Sequence, residues 1–191
     1  MDGEFLNGAE GVLLLRIARD SLSDWVRSGE RAALERYELT PPLREQHGAF
    51  VTLRRGGELR GCIGYTRSKV SLSEAVRDNA INAGTRDPRF PPVQADELPD
   101  LRIEVSALCP GDTPGSPFRR VEDVDSLALG ADGLYLELGD TGRGGLLLPQ
   151  VPGGTEAGVD VLDDVNGQSH GSRLVHDCTF DTLPNPPGRI G

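Results

Sequence analysis

The stretch "AFVTLRRGGELRGCIGY", residues 49–65, carries the clearest structural pattern in the chain. Two strand-like runs, Ala49 to Arg55 and Glu58 to Tyr65, flank the pair Gly56-Gly57. Such a pair takes the positive φ angles of a two-residue hairpin turn, so the stretch reads as an antiparallel β-hairpin. Its second strand holds LRGCIG, in which glycines flank Cys62. Glycine weakens a strand and marks a bulge or a close approach by a backbone or ligand. On strict alternation Leu59, Gly61 and Ile63 share one face, and Arg60, Cys62 and Gly64 the other. That reading sets Cys62 beside Arg60, in space the glycines leave open, and a bulge at Gly61 would change it.

Before the hairpin, Leu13, Leu14, Ile17, Leu22, Trp25 and Val26 recur at helical spacing between residues 10 and 28, and Gly29 ends the run. This is an amphipathic helix with its apolar stripe on a sheet. ELTPPLREQ is a Pro-containing connector. After the hairpin, Ser71-Leu72-Ser73-Glu74 fits a capping box. A helix with a small apolar face (Leu72, Ala75, Val76, Asn79, Ala80, Ala83) then runs to about Gly84. The prolines of TRDPRFPPV, residues 85–93, confine that segment to a turn and an extended piece, with Phe90 as a core anchor. LRIEVSAL, residues 101–108, alternates as a third strand. Residues 110–117 form a loop. Residues 133–138 and 145–149 make a second hairpin across a Gly-rich turn. Hairpins alternating with helices, without βαβ regularity, predict an α+β fold.

Composition narrows the function classes. Charged residues make up 26% and apolar residues 37%, which suits a globular protein. The net charge of −10 repels phosphate backbones, so nucleic acid is not an expected partner. No apolar run is long enough to span a bilayer, and the acidic start lacks the pattern of a signal peptide. Cys62, Cys109 and Cys178 are odd in number and widely spaced, which argues against a disulfide framework or a zinc site. A reduced, cytoplasmic protein without metal or cofactor is expected. Walker A, GxGxxG, GxSxG and HExxH patterns are absent from the sequence.

Four segments, "GAFVTLRRGGELRGCIGY", "AVRDNAINAGTRDPRFPPV", "LRIEVSAL" and "GGLLLPQVP", occur in order. Together they resemble the AMMECR domain family, also called AmmeMemoRadiSam system protein A. The likeness covers about residues 10–152. It implies an α+β protein of two unequal lobes, with these motifs around the cleft between them. It also implies an intracellular protein encoded in many prokaryotes beside a Memo-like protein and a radical SAM protein. The resemblance names no reaction and no small-molecule ligand. On this reading residues 1–152 are the family domain. Residues 153–191 depart from it and read as a poorly ordered or frameshifted tail, a point that resequencing of the coding DNA tests.

The motifs supply the candidate chemistry. Cys62 is a candidate nucleophile, with Arg60 favouring its thiolate and Glu104 on the third strand as acid or base. The alternative for Cys62 is a packing role as a small apolar side chain. A histidine base is missing near it: His47 alone lies within the likeness. Arg86, Asp87 and Arg89 form either an internal ion pair or a guanidinium fork for an anionic ligand. Gln150, held between Pro149 and Pro152, is a candidate ligand contact or a backbone cap. The balance favours an accessory or binding component of a modification system with Memo-like and radical SAM partners. The alternative is an enzyme using Cys62, Arg60 and an acidic residue.

Overall fold

The computed structural model describes residues 5–112, 117–121, 132–138, 143–147 and 172–181. Gln150 and most of the tail after Pro152 lie outside them. The chain divides into two compact units, Met1–Ala107 with Cys178–Gly191, and Leu108–Asp177. Its elements are those of an α+β protein.

The first unit begins with α1, Gly8–Ser28. Asn7 accepts from the Ala9 and Glu10 backbone N–H groups, and Glu10 accepts from the Asn7 N–H. This reciprocal capping box is worth about 1 kcal/mol. Gly29 ends the helix at φ 73°, the left-handed conformation that glycine tolerates. Leu14, Ile17, Ala18 and Leu22 are fully buried, whereas Trp25 and Val26 are half-buried. The connector contains a single helical turn, α2 (Pro41–Arg44), which starts on two prolines as a first turn permits.

Strands β1 (Ala49–Arg55) and β2 (Glu58–Tyr65) form the expected hairpin, with Gly56 and Gly57 at φ 59° and 91°. Strand β3 (Leu101–Leu108) lies antiparallel on the other side of β1. Ala49, Val51 and Leu53 of β1 and Ile103, Val105 and Ala107 of β3 are completely buried. The helix α3 (Leu72–Thr85) packs on β1 and β2 and against α1. Its Ser71–Glu74 capping box is formed, and Arg86 terminates it. Asn79, fully buried, donates to the Ala49 carbonyl at 3.0 Å and so ties α3 to the start of β1. Arg19 of α1 donates to the carbonyls of Leu98 and Leu101 at 3.0 and 2.6 Å, which fixes the approach to β3.

In the second unit the strands are β4 (Phe118–Val121), β5 (Asp132–Leu138), β6 (Arg143–Leu147) and the part of β7 (Ser172–Asp181) up to Asp177. β5 and β6 form the second hairpin, and β7 pairs antiparallel with both β4 and β5. Among the described residues no helix is long and apolar enough to cross a membrane.

Candidate functional site

The β1–β2 register explains the glycines. Leu53 pairs with Gly61, but Arg54 pairs with Leu59, so Arg60 is the extra residue of a β-bulge. The bulge falls one residue before the glycine at which the alternation was open to change. Cross-strand partners share a face, so Leu59 joins Arg54 and Cys62 rather than Gly61. Gly61 sits against the Ala83 carbonyl of α3, where an added Cβ would overlap the helix backbone. Gly64 lies under the ring of its cross-strand partner Phe50, which fills the place of a side chain. One glycine thus admits a helix and the other a ring. Neither opens a space on the sulfur.

Cys62 is half-buried on the sheet face opposite the helices, paired with Thr52. The Thr52 hydroxyl donates to its Sγ at 3.3 Å. Glu104 pairs with Thr52 on the far side, so Cys62, Thr52 and Glu104 form one row across three strands. At the usual strand spacing Cys62 and Glu104 backbones are about 10 Å apart. Glu104 is half-buried, and Ser106, in the next row, is buried.

Arg60 is taken up elsewhere. Its Nε and Nη2 donate to Glu97 Oε1 and Oε2 at 2.9 and 3.0 Å, a forked pair with both side chains nearly buried. Arg55 Nη1 also reaches Glu97, at 3.1 Å, and the Gln94 N–H donates to it at 2.9 Å. The Arg60 hydrogen bonds, aided by Gln94 and the nearby Arg55, lower the Glu97 carboxyl to about 2. Sequence reasoning did not single out Glu97. An acidic residue shortly before a strand looks like ordinary surface, and its partner lies 37 positions away.

The RDPRF segment supplies the other pair. Asp87 is buried, and its carboxylate accepts from Arg89 Nε and Nη2 at 2.9 and 2.7 Å and from the Arg89 N–H at 3.0 Å. It also accepts from the Cys62 N–H at 2.9 Å. Arg89, acting first, and these backbone donors hold the Asp87 carboxyl well below the usual carboxylate range. Arg89 reaches the Cys62 carbonyl at 3.4 Å and stacks over Phe90, its charge centre 5.5 Å from the ring. Phe90 is half-buried and Arg86 is exposed. The structure therefore brings Cys62, Asp87 and Arg89 together, places Glu104 in the Cys62 row, and joins Arg60 to Glu97. The cation bonded to the Cys62 backbone is Arg89.

Both lowered carboxyls give the same sign of pH dependence. Each is below its ordinary value in the folded chain, so its contribution is complete above about pH 4.5 and is lost as pH falls through the folded value. We predict a thermal midpoint, followed by circular dichroism, that stays flat from pH 7 to 5 as far as these carboxyls determine it. It then drops between about pH 4.5 and 2. An Arg60→Met/Glu97→Leu variant should show a shallower drop. An identical acid profile for the variant would mean that this pair adds nothing.

A family model described as AMMECR1 matches residues 15–168, past the last of the quoted motifs. A protein of Methanothermobacter thermautotrophicus is 39% identical over 179 residues, covering 92% of this chain and 88% of its own length. One from Thermococcus onnurineus is 44% identical over 178 residues, covering 90% and 82%. The crystal structure of uncharacterized protein PH0010 from Pyrococcus horikoshii is similar with a TM-score of 0.77 and 30% identity, covering 96% of this chain and 97% of that one. With the hairpin, α3 and β3 in the predicted order and the family model spanning most of its length, the chain belongs to the AMMECR1 family.

Proposed function

We propose that the protein is a binding component, not a catalyst, of a modification system whose other members are a Memo-like protein and a radical SAM protein. The observation that carries this reading is the use of the motif charges. Arg60 is spent on Glu97, and Asp87 on Arg89 and the Cys62 backbone. Internal pairs of this kind stiffen a surface and leave fewer groups to move protons. A nucleophilic thiol also needs a base to take its proton. His47 Nε2 donates to the Glu45 carboxylate at 3.4 Å, and its ring lies 4.5 Å from that of Phe5. A rigid strand, held from both sides, suits recognition of another protein.

Calorimetric titration of the chain with each purified partner tests the reading. A complex is expected with at least one of them, and Cys62→Ser should change its Kd by less than about threefold, a shift below 1 kcal/mol. Absence of a complex at tens of micromolar would overturn it.

A second reading, a thiol enzyme, draws on the Thr52 hydroxyl at Sγ and on Arg89 at the Cys62 carbonyl. With Cys109 and Cys178 replaced by serine, iodoacetamide labelling of Cys62 at pH 7 separates the two. The binding reading expects a rate no higher than that of free cysteine. A rate tenfold higher or more favours the enzyme.

A further inference from the structure

Among the described residues β2 has a strand on one side only, β1. The outer side of such a strand carries N–H and C=O groups able to template another strand. In an antiparallel ladder, residues alternate between pairs that exchange backbone hydrogen bonds and pairs whose backbone groups point outward. Cys62 is of the second kind, since its N–H leaves the ladder for Asp87. The short Thr52–Cys62 side-chain contact agrees, because side chains approach more closely in such pairs.

Two side chains satisfy these outward groups. Asp87 Oδ2 accepts the Cys62 N–H at 2.9 Å, and Arg89 Nη2 donates to the Cys62 C=O at 3.4 Å. One acceptor for the N–H and one donor for the C=O is what a residue of an added antiparallel strand would offer. The two side chains are bonded to each other, so they arrive as one unit. Their loop is anchored by the Val93 N–H on the Gly84 carbonyl at 2.7 Å and by the Phe90 N–H on the Asp87 carbonyl at 3.2 Å.

We propose that Asp87 and Arg89 are an edge guard: they occupy on Cys62 the place of a neighbouring strand and keep β2 from pairing with β2 of a second copy of this chain. This stands apart from the binding reading above, since it concerns association of the chain with itself. A second copy is the occupant that fits an opened edge, because an antiparallel strand is complementary to itself about a two-fold axis. Cys62 of each copy would then supply the acceptor and donor now given by Asp87 and Arg89.

Sedimentation equilibrium and residue-resolved amide exchange on Asp87→Ala/Arg89→Ala test this against the parent chain. The mass of the variant should rise with concentration toward twice that of the parent. At low concentration its Cys62 N–H should exchange at least about tenfold faster, and protection of β2 amides should return as the dimer forms. A folded variant with the parent's mass at every concentration overturns the proposal, as does a dimer that protects other amides and not β2. If the double variant fails to fold, Arg89→Ala decides. It keeps the Asp87 bond to the Cys62 N–H and opens only the C=O side, so a weaker dimer with that amide still protected is expected. A parent-like mass for this variant overturns the proposal too.

Discussion

Glu97→Ala should lower the unfolding free energy by about 3 kcal/mol, the low end of the cost of removing one partner from a buried ion pair. Arg60 and Glu97 side chains are 13% and 11% exposed. Removing the carboxylate strands a guanidinium whose Nη1 is already buried without a hydrogen-bond partner among the described residues. Arg55 loses an acceptor, and the Gln94 N–H loses its cap. For a chain of this size the loss corresponds to a melting temperature roughly 6–12 °C lower. The double variant Arg60→Met/Glu97→Leu should recover most of it, because an apolar pair of similar volume needs no desolvated charge. Denaturant unfolding of Arg60→Met, Glu97→Leu and the double gives the coupling directly. A double variant as unstable as Glu97→Ala would show that packing around the bulge, not the stranded charge, sets the cost.

Gly61→Ala should destabilise by about 2–3 kcal/mol, in the range of overpacked cores. The added Cβ would fall on the Ala83 carbonyl oxygen, a backbone atom of α3 that no rotamer change can move aside. The next residue, Gly84, is itself closely approached by Leu22 of α1, so the helix has little room to retreat. Strand and helix must separate locally, which loosens the packing of α3 on β1 and β2. Gly8→Ala is the control. It is exposed at the first turn of α1 with nothing among the described residues within 4 Å of its would-be Cβ, and it should be neutral or slightly stabilising. Thermal and denaturant midpoints of the two variants check the contrast; equal effects would mean that the Gly61 contact relaxes freely.

The first hairpin, the Ser71–Glu74 capping box, Gly29 as a helix stop and the alternation of Leu101–Leu108 were all legible in the sequence. Each depends on residues within a turn or a few positions of one another, where spacing alone sets the geometry. The Asn7–Glu10 box had the same local character but went unread, and the helix was begun at residue 10, two residues after its start at Gly8, since the apolar stripe begins only at Leu13. Alternation also assigned Gly61 and Ile63, and Cys62 and Gly64, to their faces.

Where the charges go follows from contacts between distant segments. Period-two alternation put Arg60 next to Cys62, but one extra residue in β2 takes Arg60 out of that count, and its partner Glu97 comes from the turn before β3, which the pairing of β3 with β1 sets beside the hairpin. Asp87 could be read as sitting between two arginines; the fold gives it Arg89 and the Cys62 amide, 25 residues away, and leaves Arg86 in solvent. The elements and their order were readable from local pattern, because local hydrogen bonding and apolar period act over short spans. Which carboxylate meets which cation, and whether a glycine clears room for a helix, a ring or a ligand, depends on close approach between distant segments. No local pattern encodes that approach.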